Sequence, residues 1–455
     1  MKTKTETSQS DTNQHSSPFT PRALVPTVGR TLHSSLEKQG FSLFGYGLTT
    51  KAIAKKLGGG CTFFDDNCKE PYTDEMGNQI LPSHLFDPEA SQLEVTTPSL
   101  PPKHPLIQSA KNLLSEYDYF LSEQSKIEVL QSNANQHSSL SKPFTVWISG
   151  TNGKTTTTQM LTHLLEHKGA VSGGNIGTPL AELDKEAPIW VLETSSFTLH
   201  HTKTASPGIY LLLPITPDHL DWHGTPEAYE TDKLRPLLTM REGELALVPK
   251  GLNLPKTDAF VVEYDSNDFL CDYFGLDASR LNYKGAFLQD ALLSLAITKV
   301  LFDETDYDLL NTFKRDAHRQ EEFFDSKGRL WVNDSKATNL DAAVQAVKTY
   351  SDRHIHLIVG GDDKGVDMTP LFEVLKPLLL TLYSIGSNSQ KIKGLCEMFG
   401  IELKEAGTLE KAVAMIDAAH TKESVALLSP AAASFDQFKS YKHRGETFVA
   451  LVNDL

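Results

Sequence analysis

The sequence predicts an α/β protein of three domains, each with a mainly parallel sheet flanked by helices. Three observations lead to this prediction. The 455 residues correspond to about three domains of ordinary size. From Phe41 onward, short apolar runs of strand length alternate with amphipathic segments of helix length, which is typical of parallel sheets with helical crossovers. Breaks in this alternation at the polar stretch Gln131–Lys142 and near Lys314 divide it into three parts.

These breaks set the predicted boundaries. Residues 1–38 are rich in Ser, Thr, Gln, Asn and Pro, so they have too little apolar surface to offset the entropy of ordering and are predicted to be a disordered polar extension. The three domains are then predicted at residues 39–142, 143–315 and 316–455.

Composition narrows the class of protein. The formal net charge of -15 repels phosphate backbones, so no nucleic-acid partner is expected. No apolar run approaches the roughly 18 residues needed to span a bilayer, and the N-terminus has no apolar signal region. Neither a membrane nor a secretory signal is therefore expected. The four cysteines fit no disulfide or zinc pattern, which favours reduced thiols and a cytoplasmic location.

The first domain is predicted to open with strand Phe41–Phe44, helix Thr49–Leu57 and strand Cys61–Phe64. Gly45 and Gly47 lie in the first turn, and the acidic pair Asp65 and Asp66 follows about 20 residues later, as in a dinucleotide-binding fold. This pattern predicts a Rossmann-like domain. Taken alone, it would fit a nicotinamide-dependent dehydrogenase.

The second domain begins with strand Phe144–Ser149, the loop Gly150–Thr156 and a helix carrying Met160, Leu161, Leu164 and Leu165 on one face. A strand, a glycine loop and a helix form the context of a P-loop, in which backbone N–H groups and the helix dipole bind phosphate. Lys154 would reach the β- and γ-phosphates and Thr155 would ligate Mg²⁺. The general P-loop pattern has a glycine where this chain has Ile148.

Two further strands of this domain end in polar residues. Trp190–Glu193 ends in a carboxylate, and strand Tyr210–Leu213 leads to Asp218 and His219. Parallel strands carry their chemistry at their carboxyl ends, so Glu193 is a candidate Mg²⁺ ligand and His219 a candidate ligand for a second cation. The third domain repeats the alternation, with predicted strands Ile355–Val359, Thr381–Ile385 and Val425–Leu428.

Several strings together resemble those of the Mur ligase family over residues 41–455. They are Gly150–Thr156, Gly173–Gly177, Tyr229–Arg235, Ala317–Gln320, Trp331–Asn339, Gly360–Gly365 and Leu428–Phe438. The string Asp334–Asn339 is similar to the branch that adds D-glutamate. The resemblance implies a Rossmann-like substrate domain, a central P-loop ATPase-like domain and a Rossmann-like C-terminal domain that binds the amino acid.

The resemblance also implies the site residues. Catalytic roles would fall to Lys154, His219, Lys233, Arg319 and Lys336. ATP would contact Gly150, Thr151, Asn152, Gly153, Lys154, Thr155, Thr156, Arg319 and Asp334. Two Mg²⁺ ions would be held by Thr155, Glu193, His219 and a Lys233 carbamylated by CO₂. The substrates would contact Leu48, Thr49, Asp65, Asn175, Asp218, Lys336, Thr338, Lys364, Ser434 and Tyr441. The chain departs from the family at Asn67, where an arginine is usual, and in Gly285–Ala291, where Asp290 is the candidate replacement for an adenine contact.

The implied activity is the ATP-dependent joining of D-glutamate to UDP-N-acetylmuramoyl-L-alanine through an acyl phosphate, in peptidoglycan precursor synthesis. A monomer is expected. The alternatives are another Mur-type or folylpolyglutamate-type amide ligase, a dehydrogenase built on the first domain, or a non-enzymatic nucleotide-binding switch. The last two leave Asp334–Asn339 without a role.

Overall fold

The computed structural model describes residues 40–122 and 143–455 of the chain. The predicted extension 1–38 and the polar stretch Gln131–Lys142 lie outside the described residues. The described residues form three six-stranded sheets, each mostly parallel and flanked by helices, which confirms the predicted fold class. The predicted domain boundaries at 142/143 and 315/316 stay a proposal.

The first sheet has the strand order β3-β4-β2-β1-β5-β6, with only β3 antiparallel. Its strands are β1 (Phe41–Phe44), β2 (Thr62–Asp65), β3 (Tyr72–Thr73), β4 (Gln79–Pro82), β5 (Leu93–Thr96) and β6 (Leu113–Leu114). Its helices are α1 (Leu48–Lys56), α2 (Pro105–Ser109) and α3 (Glu116–Leu121). Ala52, Ile53 and Leu57 are buried, as the predicted apolar face of α1 requires.

The second sheet is fully parallel, in the order β12-β11-β10-β7-β9-β8. Its strands are β7 (Phe144–Ser149), β8 (Ala170–Gly174), β9 (Ile189–Glu193), β10 (Ile209–Leu212), β11 (Leu245–Pro249) and β12 (Phe260–Tyr264). Its helices are α4 (Lys154–Leu165), α5 (Ser196–His201), α6 (Leu220–His223), α7 (Pro226–Leu234), α8 (Pro236–Thr239), α9 (Asn267–Phe274), α10 (Gly285–Phe302) and α11 (Tyr307–Asn311). Apolar clusters cover both faces, as a parallel sheet needs.

The third sheet has the order β13-β14-β18-β15-β16-β17, with only β13 antiparallel. Its strands are β13 (Glu321–Phe324), β14 (Leu330–Asn333), β15 (Ile355–Val359), β16 (Leu380–Ile385), β17 (Glu402–Gly407) and β18 (Val425–Leu428). Its helices are α12 (Leu340–Thr349), α13 (Thr369–Leu375), α14 (Ser389–Phe399), α15 (Leu409–Asp417) and α16 (Tyr441–Asn453).

Helix α10 corrects one expectation. It has 18 residues and a mean hydropathy of 1.4, so by length and composition it could cross a membrane, although no segment was expected to be long and apolar enough. The apolar run is not continuous in the sequence, because Gln289, Asp290 and Lys299 interrupt it. Residues from the middle of α10 pack with α4 in the core of the second sheet, which is the environment of a buried helix in a globular domain.

Helix α3 joins the first two sheets. Tyr117 and Leu121 of α3 pack in the apolar cluster of the second sheet. The buried carboxylate of Asp118 accepts hydrogen bonds from the backbone N–H groups of Lys203, Thr204 and Ala205, each at 2.9 Å. These contacts fix the first sheet against the second, and Glu116 and Tyr117 of α3 line the cleft described below.

Candidate active site

The site lies where three neighbouring strands of the second sheet end. Strands β9, β7 and β10 are adjacent and parallel, so their carboxyl ends meet at one edge. That edge carries Glu193, the phosphate loop after Ser149, and the turn that contains His219. Ligand sites of open α/β sheets form at this kind of edge.

Backbone geometry explains the glycines of the phosphate loop. Gly150 has φ 141° and Gly153 has φ 81°, conformations that favour glycine. A Cβ on Gly150 would lie 2.5 Å from Leu213 Cβ, and one on Gly153 would lie 2.8 Å from Asp290 Oδ1. The loop therefore needs glycine at both positions to lie close to the sheet and to start α4 at Lys154.

Lys154 folds back over this loop. Its Nζ donates to the carbonyl oxygens of Gly150 at 2.9 Å and Thr151 at 2.7 Å. Burial lowers the pKa of Lys154; the carboxylates of Glu193 and Asp218 oppose this shift, whereas Arg319 and Lys336 reinforce it. Charged groups from the second and third domains thus lie close enough to Lys154 to act on it.

Lys233 lies behind the same loop and is 1% exposed. Its Nζ donates to the Gly150 carbonyl at 2.8 Å and to Ser149 Oγ at 3.3 Å, and it stands 4.8 Å from the centre of the Tyr229 ring. Burial lowers the pKa of Lys233 well below its usual range, and the neighbouring Lys154 lowers it further. Both effects shift the balance of this side chain from the ammonium towards the neutral amine.

Glu193 is 3% exposed at the end of β9. Its Oε1 accepts a hydrogen bond from Asn175 Nδ2 at 2.6 Å. Its Oε2 is buried and has no hydrogen-bond partner among the described residues. An unpaired buried carboxylate oxygen is costly, and a hard cation is its natural partner.

His219 sits in the turn after β10 with φ 54°, a strained backbone conformation for a residue with a side chain. Its ring lies 4.9 Å from the Phe197 ring, and its Nε2 is 3.6 Å from Asp218 Oδ2. Partial burial lowers the pKa of His219; Asp218 opposes this shift, whereas Lys154 and Lys233 reinforce it. The neutral imidazole, the form that binds metal, is therefore favoured.

The predicted metal ligands do not form a complete metal site by themselves. Within residues 40–122 and 143–455, no three His, Cys, Asp or Glu side chains are arranged to hold a metal ion. Any cation here would need further ligands, such as phosphate oxygens or a modified Lys233. Thr155 follows Lys154 in the first turn of α4 and is half-buried.

Sequence reasoning missed a buried carboxylate next to Lys233. Asp232 accepts hydrogen bonds from His200 Nδ1 at 2.9 Å, His223 Nδ1 at 2.8 Å and Arg235 Nε at 3.0 Å. The other ring nitrogen of His223 lies 2.9 Å from Ser196 Oγ. These side chains tie α5, α6 and α7 together around Asp232, the residue before Lys233. The only sequence signal was the position of an acidic residue directly before the predicted lysine.

The third domain supplies the remaining predicted residues. Asp334 is buried, accepts hydrogen bonds from Ser429 Oγ at 2.7 Å and Gln320 N at 3.2 Å, and has a pKa that burial raises to about 7. Arg319 is near enough to Asp334 and Lys154 to influence the pKa of both. Lys336 Nζ stands 4.0 Å from the centre of the Tyr441 ring.

Two loops of this domain that carry predicted amino-acid contacts are joined by backbone hydrogen bonds. Asp362 N donates to Ala433 O at 3.0 Å and Ala433 N donates to Asp362 O at 2.9 Å. Lys364, in the first loop, is exposed with φ 51°, and Ser434, in the second, is buried. Thr338, which lies close to Lys336 in the sequence, is exposed.

A cleft with a volume of about 170 Å³ lies between the first and second domains. Residues predicted to contact substrate line it: Leu48, Thr49 and Asn175, together with Glu116 and Thr198. Leu48 is 62% exposed, so an apolar side chain is available to a ligand. Burial raises the pKa of Glu116 to about 7, while backbone N–H groups of Leu180 and Ala181 oppose the shift.

Asp65 supports the glycine turn beside this cleft. Its Oδ2 accepts from Tyr46 N at 2.7 Å and its Oδ1 from Asn67 N at 2.8 Å. Thr50, which replaces the third glycine of the dinucleotide pattern, donates its hydroxyl to Gly45 O at 2.6 Å. The predicted uracil contact of Asp65 stays a prediction.

Two predicted nucleotide contacts have protein partners. Asn152 Nδ2 donates to Asp341 Oδ2 at 2.7 Å, and Asn339 Nδ2 donates to Asn152 Oδ1 at 3.2 Å, which links the phosphate loop to the start of α12. Asp290 is buried beneath the loop next to Gly153, and burial raises its pKa to about 7. The predicted adenine contact of Asp290 stays untested.

A phosphate loop at the edge of a parallel sheet, with charged residues from a neighbouring domain around it, is the arrangement of a nucleotide-binding centre. The Mur ligase middle domain family matches residues 148–253, from the end of β7 to the turn after β11.

Comparison of the whole chain is more specific. It is 48% identical to the UDP-N-acetylmuramoylalanine–D-glutamate ligase of Campylobacter jejuni subsp. jejuni (strain 81-176), over 91% of this chain and 99% of the relative. It is 45% identical to the ligase of the same name from Helicobacter pylori (strain HPAG1), over 90% and 99%. The chain therefore belongs to the UDP-N-acetylmuramoylalanine–D-glutamate ligase family of Mur ligases.

A solved structure supports the fold. The MurF ligase of Thermotoga maritima, in complex with ADP, matches with a TM-score of 0.52 and 16% identity, over 86% of this chain and 94% of that one. This likeness shows a shared three-domain architecture.

Proposed function

We propose that this chain is an ATP-dependent ligase that joins D-glutamate to UDP-N-acetylmuramoyl-L-alanine, in the synthesis of peptidoglycan precursors. The observation that carries the proposal is the convergence of charges on Lys154. Glu193 and Asp218 of the second domain, and Arg319 and Lys336 of the third, all act on the phosphate-loop lysine. The names of relatives that this chain matches over nearly their whole length support these substrates.

The reaction has two steps. A carboxylate oxygen of UDP-N-acetylmuramoyl-L-alanine attacks the γ-phosphorus of ATP, so an acyl phosphate forms and ADP leaves. The amine of D-glutamate then attacks the acyl carbon, an amide bond forms, and phosphate leaves as the amine loses a proton. Phosphorylation is needed because a free carboxylate is a poor electrophile.

The cations of this chain suit the transfer of a phosphoryl group. Lys154 would exchange its two carbonyl contacts for phosphate oxygens, since a charged acceptor makes a stronger hydrogen bond than a neutral one. Arg319, close enough to influence Lys154 and Asp334, would neutralise charge on the transferred group. The loop residues Gly150, Thr151, Asn152, Gly153, Thr155 and Thr156 would bind the remaining phosphate oxygens through their N–H groups.

The donor set fits magnesium. Glu193 Oε2 is buried without a protein partner among the described residues and is the hard oxygen that Mg²⁺ prefers. Thr155 and Glu193 would hold one ion, and His219 and a carbamylated Lys233 the second. When bound, the ions would neutralise charge on the phosphates.

Lys233 suits carbamylation. Its Nζ donates to two neutral oxygens, Gly150 O and Ser149 Oγ, and burial favours the free amine. A free amine adds to CO₂ and releases a proton, and the product is an anionic carbamate. The lysine thereby becomes an oxygen ligand at a position that disfavours an ammonium group.

The substrates would take separate surfaces. The nucleotide sugar would occupy the cleft between the first two domains, which Leu48, Thr49 and Asn175 line. It would also contact Asp65 and Asp218. D-Glutamate, which carries two carboxylates, would bind the third domain through the cations of Lys336 and Lys364 and the hydroxyls of Thr338 and Ser434. The aromatic side chain of Tyr441 would pack against it.

The proposal places the protein in the cytoplasm as a monomer, where its product supports cell-wall synthesis and, through it, cell shape and division. The net charge of -15 supports the absence of a nucleic-acid partner.

A phosphate-release assay tests the proposal. With ATP, Mg²⁺ and UDP-N-acetylmuramoyl-L-alanine present, we expect release with D-glutamate and little release with L-glutamate, L-alanine or diaminopimelate. Lys154→Met should abolish release, whereas Lys299→Met, which alters a surface pair with Asp303, should not. Release that follows another amino acid, or none by the unaltered protein, would reject the proposal.

A further inference from the structure

A fully buried arginine lies beneath the amino-acid site. Arg444 is 1% exposed and belongs to the first turns of α16. Its four hydrogen bonds end on neutral oxygens: Ser335 Oγ at 3.0 Å, Ser335 O at 2.9 Å, Ala432 O at 3.1 Å and Ala433 O at 3.4 Å. Burial lowers the pKa of Arg444 to about 10, so the guanidinium stays charged at neutral pH.

Burying the Arg444 guanidinium costs folding free energy, but it connects two particular segments of the chain. A buried charge destabilises a fold unless its donors are satisfied, and an apolar side chain could fill the same space at less cost. The planar guanidinium, however, presents several donors in a rigid arrangement. Here that arrangement joins two chain segments, one at Ser335 and one at Ala432 and Ala433, which are far apart in sequence.

Both segments lead directly to residues proposed to bind D-glutamate. Ser335 is followed by Lys336, and Ala433 is followed by Ser434. Ser335 Oγ also donates to Tyr441 O at 2.8 Å, and the Tyr441 ring lies 4.0 Å from Lys336 Nζ. The side chain of Arg444 therefore bridges the two halves of the proposed amino-acid site from below.

The start of α16 also approaches the segment that carries Arg319. A Cβ on Gly445 would lie 2.3 Å from His318 Nδ1 and 3.0 Å from Asn333 Oδ1, so only glycine permits this approach. The three segments that bring Arg319, Lys336 and Ser434 into the site thus all pack against Tyr441–Gly445.

We propose that Arg444 is a positioning residue that sets the spacing between Lys336 and Ser434, and so the affinity for D-glutamate. The inference rests on the proposed function. A dicarboxylate amino acid needs its donors at fixed separations, and small errors in position weaken such binding. ATP and the nucleotide sugar are proposed to bind mainly other surfaces, so their binding should depend little on this arginine.

The test compares Arg444→Lys with Arg329→Lys in steady-state phosphate release, with each of the three substrates varied in turn. Arg329 is a matched control, because it is a buried arginine of the same domain whose partners are Asp325, Asp417 and His420 O. For Arg444→Lys we expect the KM for D-glutamate to rise about tenfold, with the other two KM values within about twofold. For Arg329→Lys, all three should stay within about twofold.

Ser335→Ala gives a second variant that removes one Arg444 contact and keeps the arginine. It should raise the KM for D-glutamate by a smaller factor, about threefold, and it decides the question if Arg444→Lys does not fold. Thermal unfolding of every variant shows whether the assays are made on folded protein.

The outcomes separate two failures. If unaltered protein shows no D-glutamate-dependent release, the proposed function fails. If it is active, and the Arg444 and Ser335 variants leave the KM for D-glutamate unchanged or raise all three KM values equally, the positioning role is overturned.

Discussion

Replacing Asp232, the residue before Lys233, by asparagine removes the negative charge that binds three side chains, those of His200, His223 and Arg235. The carboxylate is 6% exposed and accepts from His200, His223 and Arg235. Hydrogen bonds from these partners lower the pKa of Asp232 against the opposing effect of its burial. Asparagine keeps the size of the side chain, so the change isolates charge and hydrogen bonding.

The magnitude follows from these contacts. Hydrogen bonds to charged groups contribute roughly 1.5–3 kcal/mol each, and breaking a buried pair costs about 3–5 kcal/mol. Asparagine retains one acceptor oxygen, and His200 and Arg235 are partly exposed, so we expect a loss of about 3 kcal/mol. For a domain of this size, that loss corresponds to a melting temperature lower by roughly 6–12 °C.

The assay is thermal and denaturant unfolding of Asp232→Asn beside a control, Asp303→Asn. Asp303 is 85% exposed in its surface pair with Lys299, so the control should change stability by no more than about 0.5 kcal/mol. Because Asp232 precedes Lys233, the first variant should also lose activity, by about tenfold in kcat/KM. A loss of unfolding free energy below about 1 kcal/mol in Asp232→Asn would mean that the contacts of Asp232 contribute little to stability.

Three further predictions concern other parts of the molecule. Burial lowers the pKa values of His356 and His420 to about 4, below the value of about 6.5 in an unfolded chain, so unfolding binds protons and stability should fall as pH drops from 6.5 towards 4. Each histidine should cost about 2 kcal/mol between pH 7 and pH 5, measured by denaturant unfolding at both pH values. Lys233→Met should lower phosphate release at least about 100-fold while ATP binding persists, because the carbamate oxygen is lost. Asp341→Ala should tighten ATP binding about fivefold in calorimetry, since a hydrogen bond of about 1 kcal/mol to Asn152 no longer competes.

Each of these has an outcome that contradicts it. Equal stability at pH 7 and pH 5 would mean that the two histidines are accessible to protons in the folded state. Full activity of Lys233→Met would mean that the reaction does not need a carbamate at this position. Unchanged or weaker ATP binding by Asp341→Ala would mean that the contact with Asn152 does not oppose the nucleotide.

Local patterns accounted for much of the fold. The strands Phe41–Phe44, Phe144–Ser149, Ile355–Val359 and Val425–Leu428 were predicted at the bounds observed, because continuous apolar runs between turn residues are typical of strands buried on both faces. The position of Glu193 and His219 at one edge followed from the same reasoning, since neighbouring parallel strands end together.

Contacts between distant segments could not be predicted. Arg444 looks like an ordinary helical arginine in the sequence, and only the fold places it against Ser335 and Ala432. Asn152 was predicted to contact ATP, and its hydrogen-bond partner Asp341, which comes from another domain, was not foreseen. The length and hydropathy of helix α10 were not foreseen, because polar residues interrupt its apolar run. One of them is Asp290, which packs beneath the phosphate loop.

In the proposed reaction, ATP activates the substrate carboxylate by direct transfer of a phosphoryl group. The most direct measurement is oxygen transfer. With UDP-N-acetylmuramoyl-L-alanine labelled with ¹⁸O in its carboxylate, ATP and D-glutamate, mass spectrometry should find one ¹⁸O atom in each phosphate released and the amide in equal amount. Unlabelled phosphate, or amide formed without ATP, would mean that no acyl phosphate is formed from ATP.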